Sequence, residues 1–118
     1  MHNIGKLKIW NASIDLCVEV YEAVANMPND ARYGLSSQIK RSAVSIPSNI
    51  AEGAGRDSSP QFNQFLNIAF GSSYELQTQL IISERLNFIT KEVNEPILSK
   101  LDEIQKMIYV FKENVNKK

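Results

Sequence analysis

Along this chain apolar residues recur every three or four positions in four stretches, and nowhere do they alternate in twos between hairpin turns, so the pattern is helical throughout. In the first stretch, about 7–25, Leu7, Trp10, Ile14, Cys17, Tyr21 and Val24 share a face, with Asp15, Glu19 and Glu22 opposite as a solvated acidic back. The run Asn26-Met27-Pro28-Asn29-Asp30 ends it. The second stretch, about 35–55, aligns Leu35, Ile39, Ala43, Ile46, Ile50 and Gly53. The third, about 60–86, has a core face of Phe62, Phe65, Leu66, Ala69, Leu76 and Leu80, and a second apolar strip of Phe70, Tyr74 and Ile81. The fourth, about 90–115, repeats Ile97, Leu101, Ile104, Ile108, Phe111 and Val115. Four amphipathic helices with short connections predict an all-α fold, an antiparallel up-down four-helix bundle forming one domain over 1–118.

Pro47 stands in the middle of the second stretch, yet the apolar positions on either side of it keep one register. Were a new helix to begin there, Ile46 would have to be its N-cap, a role for which isoleucine is among the poorest residues. A continuous helix carrying a proline kink follows. Its missing hydrogen bond to Ala43 costs about 3 kcal/mol in an exposed helix, to be offset by packing of the small residues around it. Beside the apolar stripe, Gln38, Arg41, Ser45, Asn49, Glu52 and Arg56 form a polar ladder, with Glu52 and Arg56 spaced to pair. It suits a solvated edge, a polar seam within the bundle or between subunits, or a surface for a ligand or nucleic acid.

Gly53-Ala54-Gly55 lacks the preceding strand and following Lys-Ser/Thr of a phosphate loop and reads as a helix end. Ser59 then caps the third helix, with Pro60 in its first position. Between Pro60 and Ser83 the sole charge is Glu75, an unusual composition for a helix with a solvated back and one that points to a subunit contact. Gly71 inside this helix suggests close approach of another backbone. Glu75 in a covered stretch calls for a cationic partner, Arg41 first and Arg56 second.

The 118 residues balance thirteen Lys and Arg against thirteen Asp and Glu, so nucleic-acid binding would need a local patch: Lys40, Arg41, Arg56 and the tail lysines Lys117 and Lys118 are the candidates. No apolar run approaches the roughly 20 residues of a membrane span, and the amino terminus has no secretory apolar core, so a cytoplasmic location is expected. The one histidine, His2, lies at an end expected to fray, and Cys17 falls on an apolar stripe. With those two alone, neither a metal site, a cofactor nor a catalytic pair is expected, and the chain reads as non-enzymatic.

Several stretches together carry a resemblance. They are Leu7-Lys8-Ile9-Trp10; Pro28 with Tyr33-Gly34-Leu35 leading to Gln38, Lys40-Arg41 and Ala43; Ser45-Ile46-Pro47-Ser48-Asn49-Ile50-Ala51-Glu52-Gly53; and Phe62, Phe65-Leu66, Ala69, Gly71-Ser72 and Glu75-Leu76. Across nearly its whole length the chain resembles the bacterial, ribosomal-protein-like four-helix bundles encoded in intervening sequences of large-subunit ribosomal RNA genes. The resemblance implies a homopentamer with no established activity. A similar fold serves as the accessory protein of diversity-generating retroelements, which partners a reverse transcriptase and binds nucleic acid. Those relatives are strongly basic, whereas this chain is neutral with an acidic first helix. The expected function is a non-enzymatic oligomeric scaffold, with an RNA-associated accessory protein as the alternative.

Overall fold

The structure, a computed structural model, describes residues 3–28 and 32–117. His2, Asn29, Asp30 and Lys118 lie outside the described residues, and with them the expectations of a frayed terminus, part of the first turn and one tail lysine. A short 3-10 turn, Ile4–Lys6, leads into α1 (Lys8–Val24). A widened π-type turn, Arg32–Ser36, opens into α2 (Ser37–Ala54), followed by α3 (Ser59–Arg85) and α4 (Lys91–Asn116). Each helix packs on the next and α4 closes back on α1, in a bundle 46 × 23 × 21 Å across.

Local chemistry fixes the α2–α3 and α3–α4 corners. Ser58, with extended backbone, accepts a hydrogen bond from the Gln61 amide at 3.3 Å, so it and not Ser59 is the cap of α3, and Pro60 sits one place further in. Pro60 is tolerated there because amides of the first turn have no partner within the helix. At the far end of α3, Asn87 adopts a left-handed φ of 62°. The Phe88 amide then reaches the Ser83 carbonyl at 2.9 Å and the Asn87 amide that of Glu84 at 3.0 Å. This is the Schellman closure, in which asparagine takes the place more often held by glycine. Thr90 caps α4 through the Val93 amide.

Helix α2 runs unbroken through Pro47, as the single register requires, and the proline ring is buried. Ile39, Ile46 and Ile50 of α2 meet Leu66, Leu76 and Leu80 of α3, Leu101 and Ile108 of α4, and Leu16 and Val20 of α1 in a closed core. Burial of each such side chain contributes about 1.5–3 kcal/mol.

The face that α1 buries differs from the expected one. Ile9, Ser13, Leu16, Val20 and Val24 point inward, while Trp10 and Cys17 are half-buried and Tyr21 is exposed. The true row contains a serine, which breaks its apolar pattern; the Ser13 hydroxyl donates to the Trp10 carbonyl at 2.9 Å and so enters the core satisfied. Glu19 is correspondingly not on the outer back. It is half-buried and ion-paired with Lys100 of α4, leaving Asp15 and Glu22 exposed.

Gly53 is where α2 comes nearest to α3. A Cβ built there would lie 2.8 Å from Phe62 Cδ1, 2.9 Å from Phe65 Cβ and 3.1 Å from the Phe62 carbonyl oxygen. Two of these atoms belong to the main chain or its first carbon, which move only with the helix. Gly53→Ala should therefore lose about 1–3 kcal/mol to overpacking, outweighing the ~1 kcal/mol that alanine gains by helix propensity. Denaturant unfolding should show a lowered midpoint; an unchanged or raised midpoint would refute the close approach.

Candidate functional site

The polar ladder of α2 lies along its antiparallel seam with α3, and two of its steps, Ser45 to Asn49 and Glu52 to Arg56, are held by hydrogen bonds. At the centre the hydroxyls of Ser45 and Ser72 share a hydrogen bond of 2.8 Å. Asn49 Nδ2 donates to the Ser45 carbonyl at 2.8 Å and to its hydroxyl at 2.9 Å. Toward the end of α2, Arg56 pairs with Glu52 at 2.6 Å, and its guanidinium lies 4.8 Å from the centre of the Phe65 ring. Both members of that pair are largely exposed, so it adds only a few tenths of a kcal/mol. One turn above Ser45, Ser42 Oγ donates to Glu75 Oε1 at 2.9 Å.

Among the described residues Glu75 is thus not held by an arginine. Its side chain is exposed, so the carboxylate keeps water and takes Ser42 as its donor, and the argument that burial would demand a cation does not apply within one chain. Arg41 is close by. Together with Gln38, Ser42, Glu75 and Gln79 it lines a groove of about 280 Å³. At Gly71 a Cβ would meet nothing within 4 Å, so among the described residues no backbone of this chain makes the close approach.

The nucleic-acid candidates do not converge. Lys40 and Arg41 lie in the first turns of α2, whereas Arg56 follows its last turn, 15 residues and roughly 20 Å further along the helix axis. Lys117 caps α4 at that far end and is exposed. Lys40 extends over the ring of Tyr21, 5.4 Å from its centre.

Besides Ser13, two polar residues of the core escaped sequence reasoning. Asn94 is fully buried; its Nδ2 donates to the Leu80 carbonyl at 3.1 Å and to Glu84 Oε1 at 3.0 Å. Gln105 is buried and donates to Gln77 Oε1 at 2.8 Å. Their one signal was position, since Asn94 precedes Ile97 by three and Gln105 precedes Ile108 by three on the α4 stripe.

Catalytic material is sparse. Among the described residues no three His, Cys, Asp or Glu side chains cluster as a metal site would, and no helix is long and apolar enough to cross a membrane. Burial pushes the Cys17 thiol above its ordinary pKa, which makes it a poor nucleophile near neutrality.

Comparison with known proteins places these features in a family. Residues 5–110 match the family described as 23S rRNA-intervening sequence protein. A solved structure of a protein of unknown function from the S23 ribosomal protein family of Bacteroides thetaiotaomicron superposes with a TM-score of 0.80 at 29% identity, covering 88% of this chain and 97% of that one. No curated protein matches the chain significantly.

The Ser45–Ser72 contact joins two polar atoms within a tightly packed seam. Ser45→Ala should cost about 1–2 kcal/mol, because Ser72, which is 9% exposed, loses its partner and Asn49 loses an acceptor. Adding Ser72→Ala should cost less than the two single effects combined. A double-mutant cycle by urea unfolding checks this, and strict additivity would mean the two hydroxyls are not coupled.

Proposed function

The chain belongs to the 23S rRNA-intervening sequence protein family, and we propose that it is a non-enzymatic scaffold that assembles with copies of itself through the outer face of α3. One observation carries this reading: that face is exposed, apolar in part and almost without charge. Ile68 is 47% exposed, Tyr74 50% and Ile82 42%, and Glu75 is the only charge between Pro60 and Ser83. The back of a solvated helix ordinarily carries charges that oppose association, and this one lacks them. Gly71 supports the same reading. Glycine costs about 1 kcal/mol relative to alanine inside a helix, and nothing in this chain requires it, whereas a neighbouring subunit lying against α3 would. Assembly there also offers Glu75 and Arg41 a route to pair between chains, and the family resemblance makes five copies the expected number.

A second reading, association with RNA, is supported by Lys40 and Arg41, neither of which has a carboxylate partner among the described residues. The separation of Arg56 and Lys117 from them favours a small local contact over a continuous track. Such a contact would give a shallow dependence of affinity on salt.

Sedimentation analysis tests the scaffold reading. The wild type should sediment as a discrete oligomer, and Ile68→Lys, at a position solvated in the single chain, should dissociate it by at least tenfold in affinity without lowering helix content. Gly71→Ala should raise the unfolding midpoint of dissociated chains while weakening assembly. A monomeric wild type, or an oligomer indifferent to Ile68→Lys, would overturn the assignment.

A further inference from the structure

We propose that the cavity between the end of α1 and the first turns of α2 binds a phosphate monoester. It has a volume of about 470 Å³ and is lined by Tyr21, Ser36, Ser37, Lys40 and Arg41. That volume lies within the roughly 300–1,000 Å³ typical of small-ligand clefts, and it leaves space for an organic group behind a phosphate. This inference does not rest on assembly through α3, although Arg41 borders both this cavity and the groove beside Glu75.

The lining is chemically one-sided. Among the described residues every polar side chain on it can donate hydrogen bonds: three hydroxyls, an ammonium and a guanidinium, with no carboxylate. Lys40 and Arg41 take no part in the ion pairs of the described residues, which use Arg56, Lys100 and Lys106. Their charge is available to a ligand. Lys40 is positioned as well as charged, since its ammonium is held over the Tyr21 ring at 5.4 Å from the centre.

Ser36 adds a donor on the same wall. It lines the cavity and its hydroxyl is not used to cap α2, so it is available to an acceptor that enters. A carboxylate would satisfy one cation and one hydroxyl. A phosphate monoester brings three terminal oxygens and nearly two negative charges at neutral pH, matching two cations and several hydroxyls at once.

The same phosphate chemistry is presented by a free phosphorylated metabolite or by the 5′-phosphate end of an RNA, and calorimetric titration of the full chain at fixed ionic strength separates them. The probes are adenosine monophosphate, adenosine, and one short RNA in 5′-phosphorylated and 5′-hydroxyl forms. At least one phosphorylated probe should bind and its unphosphorylated counterpart should not. Lys40→Gln and Arg41→Gln should each weaken that binding by about tenfold, the loss expected for one charge-assisted hydrogen bond. Ser36→Ala should weaken it about threefold. Lys91→Gln removes the same charge at the start of α4 and should leave affinity unchanged. Binding of adenosine monophosphate in preference to the RNA assigns the site to a small metabolite, and the reverse order assigns it to a nucleic-acid end. Absence of binding by both phosphorylated probes at millimolar concentration overturns the proposal, as does binding that Lys40→Gln and Arg41→Gln leave intact while circular dichroism shows the fold unchanged.

Discussion

The close antiparallel approach of α2 to α3 is the constraint on which the rest of the structure depends. Gly53 allows it at one end, where a methyl group would collide with Phe62 and Phe65. Along its length, Ser42, Ser45 and Ser72 replace large side chains with short hydroxyls that bond across the seam. This packing makes Pro47 tolerable inside a helix, because the lost backbone bond is offset by a buried interface on either side. It also fixes which way the outer faces look: with the seam closed, Ile68, Gly71, Tyr74 and Glu75 have no course but outward.

Much of this architecture was legible in the order of residues. Four helices, their approximate ends and the continuity of α2 followed from apolar spacing and from the unsuitability of Ile46 as a cap. The misread features share a physical cause. Periodicity treats a polar residue as exposed, so Ser13 hid the true inner face of α1, and Asn94 and Gln105 were passed over although they sit on the α4 stripe. A short or amide side chain can instead be buried by bonding a backbone carbonyl or another amide, as all three do. The Arg41–Glu75 pair was inferred from a face assumed to be covered, and within one chain that face is open. The same openness explains why Gly71 was assigned a close neighbour that this chain does not supply.

Family membership and the shared fold with a protein from Bacteroides thetaiotaomicron agree with a helical bundle, while the two surfaces of interest belong to this chain's own side chains. One is nearly uncharged and is the contact proposed for a second copy; the other is a donor-lined cavity beside Lys40 and Arg41. Among the described residues the cavity and the groove beside Glu75 have Arg41 in common. Occupancy of one therefore has a direct physical route to the other, through the placement of a single guanidinium.

Native-state hydrogen exchange tests the claim that the α2–α3 seam holds the fold together. The account predicts that the amides of Ile46, Ile50 and Ala51 exchange with the same free energy as those of Leu76 and Leu80, through global unfolding alone, so that Pro47 lies within the most stable cooperative unit. Exchange of the α2 amides around Pro47 through a low-energy local opening, with α3 and α4 still protected, would contradict it.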